Sequence, residues 1–184
     1  MNTNEVIIPC RLSYANIWEP KQVNGTGDPK YSCCLLVKKS DKAAVDAIRR
    51  AIDAVKHDPA SLAKWGGKLP PKLKEPLRDG DEEKDDENYA GCWFINANSS
   101  EKRPPKIVDR QCADVLDQDE VYSGCYAQVK VGFFSYSASG NRGIGAGLEV
   151  IRKVKDGERL SGGNNLDGFE VLDDEADEDD DLLN

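Results

Sequence analysis

The sequence has few of the residues on which catalytic or metal-binding chemistry depends. Its 184 residues include one histidine, His57, and one methionine. The six cysteines form no Cys-x-x-Cys pair, and no Walker A, HExxH or GxSxG motif is present. A run of about 18 apolar residues, which a membrane-spanning helix needs, is also missing. We therefore expect no catalytic constellation, no cofactor and no metal site.

The amino terminus lacks the features of a secretory signal. MNTNEVIIPC has neither a basic segment nor a cleavable apolar stretch. Without secretion the thiols are expected to be reduced, and Cys33, Cys92 and Cys125 lie in apolar runs where cysteine packs as a small hydrophobic residue. With 39% hydrophobic and 32% charged residues, the composition predicts a soluble, cytoplasmic protein with one core.

Negative charge is concentrated in two segments. Residues 167–184 contain ten of the 34 acidic residues and no basic one. Residues 79–87, DGDEEKDDE, contain seven more and one lysine. The rest of the chain then has 17 acidic and 24 basic side chains, a net charge of +7. The part expected to fold is therefore basic outside one acidic internal loop, and half of the acidic residues lie in that loop and in the tail.

Apolar periodicity predicts five or so strands and one helix. The predicted strands are 5–18, 31–39, 89–97, 122–137 and 142–155, with a short extended piece at 106–109. Apolar residues at helical spacing predict a helix over 41–57 with Ser40 as its N-cap. Residues 19–30 are predicted as a turn. Residues 59–88 are predicted to be irregular apart from a helical turn at SLAKW.

This element order predicts a mainly β protein, an OB-fold-like five-stranded Greek-key barrel with one inserted helix and long loops. Glycines inside the strands permit the bending that a barrel requires: Gly91, Gly124, Gly132 and Gly145. An α+β sandwich is the alternative. Residues 1–160 are expected to form the barrel domain, and residues 161–184 a disordered acidic tail that is too charged to fold.

Strict alternation over 122–137 separates a core face from an aromatic face. Cys125, Ala127, Val129, Val131 and Phe133 fall on the core face, and the exposed face carries Tyr122, Tyr126, Lys130, Phe134 and Tyr136. In 89–97, Tyr89 and Trp93 share one face and Cys92 and Phe94 the other. Exposed rings with an interleaved cation are what base stacking and phosphate neutralisation require. The alternative is that the rings cover a barrel end or contact the helix.

Basic residues cluster in loops that would flank this face. One set is Lys64, Lys68, Lys72, Lys74 and Arg78, and the other is Lys102, Arg103, Lys106 and Arg110. Arg142 is the first residue of the last predicted strand, directly after the preceding turn. These side chains could hold a nucleic-acid backbone; the alternative is solvated surface charge.

The tail combines dense negative charge with a terminal Leu-Leu. Its candidate partner-binding or autoinhibitory residues are Asp173, Asp174, Glu175, Asp177, Glu178, Asp179, Asp180, Asp181, Leu182 and Leu183. An anionic segment tethered to a basic groove competes for it at a roughly millimolar effective concentration, and its apolar end can dock a partner protein. An inert solubilising tail is the alternative.

Three blocks of the chain resemble the single-stranded DNA-binding proteins encoded by tailed bacteriophages. They are YSCCLLVKKSDKAAVDAIRRAI at 31–52, PLRDGDEEKDDENYAGCWFINANSSEKRPPKIVD at 76–109, and YSGCYAQVKVGFFSYSASGNRGIGAGLEVIRKVKDGE at 122–158. The resemblance implies an OB-fold that binds single-stranded DNA with little sequence preference during phage replication, recombination and repair. It also implies an acidic C-terminus that recruits partners and occludes the groove. The ending DDDLLN lacks a terminal Pro-Phe, so partners that read Pro-Phe are not expected.

Together these features predict a non-enzymatic protein in the cytoplasm of an infected bacterium. Its expected partners are single-stranded DNA and, through the acidic tail, replication or recombination proteins, with no membrane contact. A homo-oligomer is a further alternative that the sequence leaves open. A groove lined by Trp93, Tyr122, Tyr126, Phe134 and Tyr136 would stack bases, and Lys130, Lys102, Arg103, Lys106 and Arg142 would neutralise phosphates. The alternative is an assembly or inhibitor protein whose acidic tail mimics DNA. A third hypothesis is a metal-dependent nuclease that uses the carboxylates of 79–87.

Overall fold

A computed structural model describes residues 1–23 and 25–160 of the chain. Within these residues the backbone forms a long two-stranded ribbon, a helical connection, a further barrel strand and a second hairpin. The strands are β1 (Glu5–Val23), β2 (Thr26–Lys38), β3 (Arg78–Asp79), β4 (Cys92–Ser100), β5 (Lys106–Val108), β6 (Tyr126–Ala138) and β7 (Asn141–Lys155). The helices are α1 (Lys42–Lys56), α2 (Pro59–Lys64) and α3 (Gly80–Glu83), with 3-10 turns at Glu87–Tyr89 and Gln118–Glu120.

The sheet closes on itself as a five-stranded barrel. Its strand order is β4-β2-β1-β6-β7, and parallel pairing of Ala97 with Ala146 and of Asn98 with Gly147 joins β4 to β7. The two short strands extend the edges, β3 along β4 and β5 along β7. This is the Greek-key order of an OB barrel, with α1 in the connection after β2, and the predicted fold class is confirmed.

The barrel interior is filled by the inward side chains of alternating strands. Residues with no or almost no exposure include Ile8, Leu12, Leu35, Ile95, Val129 and Ile151. Helix α1 closes one end, because its apolar face from Ala44 to Val55 is buried against β1 and β6. In β6 the residues from Ala127 to Phe133 alternate between buried and partly exposed, as the sequence predicts.

A second apolar cluster lies outside the barrel, on the outer face of β2 and β4. It consists of Cys34, Leu36, Tyr89 and Phe94, and the chain from β3 to the start of β4 folds back over it. The rings of Tyr89 and Phe94 meet edge to face, with centroids 5.3 Å apart. Tyr89 therefore packs on Phe94, and the predicted grouping of Tyr89 with Trp93 on one face is wrong. Trp93 instead packs against the main core.

Several element boundaries differ from the predicted ones. The β1–β2 ribbon continues into the predicted turn at 19–30, where Lys21 pairs with Lys30. Pairing with the neighbouring strand satisfies the backbone there and overrides the local turn signals. Strand β6 begins at Tyr126, after a turn in which the Cys125 N–H donates to the Tyr122 carbonyl over 3.2 Å. The cap of α1 is the Asp41 carboxylate, which accepts from the Ala44 N–H at 3.2 Å.

Candidate nucleic-acid interface

A groove of about 1060 Å³ lies beside the β6–β7 hairpin, and we call it the hairpin groove. One wall is the hairpin itself, the second is the outer part of β4 with Asn96 and Asn98, and the third is the segment Leu73–Asp79. That segment is fixed to β7 by two backbone hydrogen bonds. The Lys74 N–H donates to Arg142 and the Ile144 N–H donates to Lys74, both over 3.0 Å.

Two aromatic rings of β6 lie across glycines of β7. Phe134 pairs with Gly145 and Tyr136 with Gly143 in the strand register. A Cβ added at Gly145 would lie 2.5 Å from Phe134 Cζ, and one added at Gly143 would lie 2.6 Å from the Tyr136 hydroxyl. The glycines therefore leave the space that the rings occupy. The glycine-rich run at 143–147, Gly-Ile-Gly-Ala-Gly, thus makes room for these rings beside the groove.

The hairpin is anchored to α2 through Trp65. This side chain is almost fully buried, and its indole N–H donates to the Tyr136 carbonyl over 3.1 Å. Arg142 donates from Nη1 to the Trp65 carbonyl over 3.0 Å. Since both bonds join the hairpin to the segment after α1, the position of the two rings is set by long-range contacts.

Trp93 lines the hairpin groove from the side of β4 and is partly buried in the main core. Two cations approach its ring: Lys39 Nζ lies 5.1 Å and the Arg49 guanidinium carbon 5.2 Å from the centroid. These are distances at which cations are attracted to an aromatic face. Trp93 is thus flanked by two cations, with part of its surface open to the groove.

The charges that line the hairpin groove nearly balance. Lys30, Lys74 and Arg78 face Glu75, Asp79, Glu82 and Glu83. Arg78 is engaged by Glu83, with Nη2 and Nε 2.7 and 3.0 Å from the same carboxylate oxygen. Both side chains are about two-fifths exposed, so the pair is worth at most about 1 kcal/mol. A phosphate entering the groove can therefore displace Glu83 from Arg78.

Lys39 fixes the start of the acidic segment. Its ammonium lies 2.6 Å from Asp79 and 2.8 Å from Asp81. The hydrogen bond from Lys39 lowers the pKa of Asp79, and the same donor together with the Gly91 N–H lowers the pKa of Asp81. These two bonds in turn raise the pKa of Lys39. All three groups are charged at neutral pH, and the acidic segment stays beside the groove.

Two of the predicted stacking residues lie away from the hairpin groove. Tyr126 lines a separate cavity of about 340 Å³, with Arg11 5.6 Å and Lys155 4.8 Å from its ring centroid. Phe134 is eight positions further along β6, which corresponds to about 26 Å in a strand. Tyr122 is half-buried, and its hydroxyl is 2.9 Å from the Gly157 carbonyl. The structure thus brings three of the five predicted rings, Trp93, Phe134 and Tyr136, together in the hairpin groove, and it places Tyr122 and Tyr126 outside it.

The predicted phosphate-binding residues also occupy different places. Lys130 lies 3.8 Å from Glu5 and 3.4 Å from Glu149, so its charge is shared by two carboxylates. Arg142 is exposed at the hairpin rim. Lys102 and Arg103 are exposed in the turn after β4, near the Ser100–Lys30 pair, and Lys106 begins β5.

Sequence reasoning placed Lys74 and Arg78 in a basic loop, and both line the groove. It missed Lys30, Asn96 and Asn98. Asn96 and Asn98 occupy outward positions of β4, since Ile95 and Ala97 between them are buried. The alternation of β4 after Trp93 carries that signal, because it places both side-chain amides on the outer face.

The acidic tail residues from Asp173 to Leu183 lie outside the described residues. Within 1–23 and 25–160, no helix is long and apolar enough to cross a membrane. The same part of the chain has no cluster of His, Cys, Asp or Glu side chains arranged to hold a metal ion.

Comparison with known proteins gives consistent matches over most of the chain. The profile of the family described as Enterobacter phage Enc34, ssDNA-binding protein, matches residues 3–183. A curated relative, "Putative protein p50" of Acyrthosiphon pisum secondary endosymbiont phage 1, is 33% identical over 163 residues, which cover 83% of this chain and 84% of that protein.

Two solved structures of phage proteins have a similar fold. The single-stranded DNA-binding protein from bacteriophage Enc34, in complex with ssDNA, superposes with a TM-score of 0.72 at 26% identity, covering 85% of this chain and 88% of that one. The single-stranded DNA-binding protein gp2.5 of bacteriophage T7 gives a TM-score of 0.62 at 17% identity, covering 94% and 100%. The second likeness concerns the fold alone.

Proposed function

The chain belongs to the family of the Enterobacter phage Enc34 ssDNA-binding protein, and from this membership we propose that it binds single-stranded DNA with little sequence preference. The family is one of DNA-binding proteins and not of enzymes. The proposed role is to cover and protect single-stranded DNA during phage replication, recombination and repair, in the cytoplasm of the infected bacterium.

The observation that carries the proposal is the pair of rings held over glycines in an open groove. Phe134 is 46% exposed although it lies in the middle of a hairpin strand. It lines the groove together with Tyr136, and an apolar surface inside a groove is typical of a ligand-binding site. Every nucleobase has an aromatic face, so stacking on Phe134 and Tyr136 tolerates any sequence.

Phosphate contacts would come from the cations around these rings. Lys30, Lys74 and Arg78 line the groove, and the exposed Arg142, whose carbonyl accepts from the Lys74 N–H, is proposed to add a fourth cation. Lys102 and Arg103 follow the end of β4 that pairs with Lys30, so they would meet the strand where it leaves the groove. Each phosphate neutralised by a cation releases counterions, and binding would weaken as salt rises.

The acidic tail is proposed to compete with DNA and to recruit replication or recombination proteins. The last described residue, Leu160, donates its N–H to the Ser123 carbonyl over 3.1 Å and packs against the outer cluster on β2 and β4. The described chain therefore ends beside β2 and β4. These are the strands whose residues Lys30, Asn96 and Asn98 line the hairpin groove. At about 3.3 Å per residue, residues 161–184 can extend roughly 80 Å, which is ample to reach it.

The test is a titration of a fluorescein-labelled oligo-dT of about 30 nucleotides, followed by anisotropy at two salt concentrations. Full-length protein, residues 1–166, Phe134→Ala and Tyr126→Ala are compared. We expect salt-sensitive binding that tightens on truncation, most at low salt. Phe134→Ala should weaken binding by about 1–3 kcal/mol.

Tyr126→Ala is the matched control, because it removes an aromatic ring from the same strand outside the hairpin groove. Equal losses for Phe134→Ala and Tyr126→Ala would contradict the assignment of this groove. No binding by full-length or truncated protein would contradict DNA binding itself. That result would favour an assembly or inhibitor protein with a DNA-mimicking tail.

A further inference from the structure

Strand β1 contains a β-bulge at Tyr14 and Ala15. The register pairs Ser13 with Cys34 and Asn16 with Ser32, so two residues of β1 stand opposite one residue of β2. A bulge of this kind turns a side chain toward a different face of the sheet.

The bulge moves Tyr14 out of the barrel. Leu12 is fully buried, and regular alternation would place Tyr14 on the same inner face. Instead Tyr14 is 62% exposed, and the inner face resumes at Ile17, which is 2% exposed. Because of the bulge, the Tyr14 ring lies exposed on the outer side of the barrel and is not buried in the core.

The backbone at Tyr14 is strained, and neighbouring groups hold it there. Its φ is +46°, in the left-handed region that large side chains rarely adopt. The Ala15 N–H donates to the Ser123 hydroxyl over 2.9 Å, and the Asn16 side-chain amide donates to the Tyr14 carbonyl over 3.3 Å. Strain that is fixed by such bonds and is not compensated by burial of the side chain is typical of functional positions.

Tyr14 borders a cavity of about 400 Å³ on the outer face of β1, β2 and β4. Three lysines line this cavity, Lys21, Lys30 and Lys84, and none of the lining residues is a carboxylate. The side chains that line this cavity thus carry only positive charge, whereas those of the hairpin groove carry both signs. Lys30, Asn96 and Asn98 line both concavities, so the two adjoin each other.

We propose that Tyr14 stacks on a nucleobase and that this cavity binds one nucleotide unit adjoining those in the hairpin groove. Lys21 and Lys30 neutralise its phosphate, and Asn96 or Asn98 meets the edge of its base. The inference rests on the proposed function, since it extends the same DNA path. It adds a contact residue that lies on β1 and not on the aromatic face of β6.

Affinity for labelled oligo-dT is measured for full-length wild type, Tyr14→Ala, Tyr14→Phe and Ile7→Ala. Loss of one stacked base should weaken the binding of Tyr14→Ala by roughly five- to 150-fold. Tyr14→Phe should restore most of the affinity, because stacking uses the ring. Ile7→Ala is the control, since Ile7 is an exposed apolar residue of the same strand outside both concavities.

The salt dependence separates the ring from the cations. Tyr14→Ala should keep the wild-type slope of log affinity against log salt, whereas Lys21→Ala should reduce it by about one. As a measurement on unaltered protein, photocrosslinking to 5-iodouracil-substituted DNA should label the peptide that contains Tyr14.

Wild-type affinity for Tyr14→Ala, or crosslinks that leave this peptide unlabelled, would overturn the inference and leave the hairpin groove standing. Failure of the wild-type protein to bind the oligonucleotide would instead overturn the proposed function.

Discussion

Removing the two carboxylates that α3 places in the hairpin groove should strengthen DNA binding. The variant is Glu82→Gln/Glu83→Gln, which keeps the size of both side chains. Glu83 holds Arg78 at 2.7 Å, and both glutamates line the groove. The substitution replaces the ion pair of Arg78 with a weaker neutral hydrogen bond, which a phosphate displaces more easily, and it removes two like charges from the path of the strand.

The size of the effect follows from simple electrostatics. A carboxylate and a phosphate about 8 Å apart in water repel each other by about 0.5 kcal/mol. Two such charges give about 1 kcal/mol, or about fivefold in affinity at low salt. At physiological ionic strength the Debye length is about 8 Å, so the gain should fall to about twofold. Stability should change by less than about 1 kcal/mol, because the Arg78–Glu83 pair is exposed.

The assay is oligo-dT anisotropy at about 20 and 150 mM salt, the range over which Debye screening changes strongly. Asp85→Asn/Glu87→Gln is the matched control. It removes the same charge from the same acidic run, at exposed residues that do not line the groove. If both double variants tighten binding equally, the gain reflects net charge alone. Weaker binding by Glu82→Gln/Glu83→Gln would refute the reasoning.

Two further predictions concern the position of the aromatic rings. Gly145→Ala should weaken DNA binding several-fold, because its Cβ would lie 2.5 Å from Phe134 Cζ and displace the ring. In the Phe134→Ala background the same substitution should have little effect. Additive losses of affinity in the double variant would show that Gly145 does not act through Phe134. Trp65→Phe should lower the free energy of unfolding in urea by about 1 kcal/mol, because the Tyr136 carbonyl loses its donor. Trp65→Ala should cost about 3–5 kcal/mol, and an unfolding midpoint equal to that of the wild type would show that Trp65 does not anchor the hairpin.

The aromatic face of β6 was predictable because that strand has one buried and one accessible side. Alternation from Ala127 to Phe133 fixes the orientation of each neighbour, and the structure agrees. The sequence could not reveal how Lys130 is shared between Glu5 and Glu149. Both carboxylates come from other strands, and register across a barrel is a long-range property.

The faces of β4 could not be predicted in the same way, because the outer face near its start is also covered. Phe94 has no exposure although it points away from the barrel. The segment before β4 is charged and rich in turn-forming residues, yet it folds back and places Tyr89 on Phe94. When both faces of a strand are buried, alternation no longer tells which side is outward.

The bulge in β1 does leave a sequence signal. Buried residues fall at even positions from Val6 to Leu12 and shift to Ile17 at an odd position. A change of parity inside a long apolar strand requires an odd number of extra residues, which a bulge supplies. Tyr14 lies between the two runs, so its outward position could be inferred from the sequence once the strand is known to be continuous.

The near-balance of charge in the hairpin groove indicates how affinity is divided between stacking and phosphate contacts. Arg78 already has a carboxylate partner in the unbound protein, so a phosphate that reaches it replaces Glu83, and the net electrostatic gain is small. Stacking on Phe134 and Tyr136 involves no such exchange. Binding in this groove should therefore depend mainly on the rings, and the steep salt dependence should arise from cations outside it, such as Lys21 in the cavity beside Tyr14.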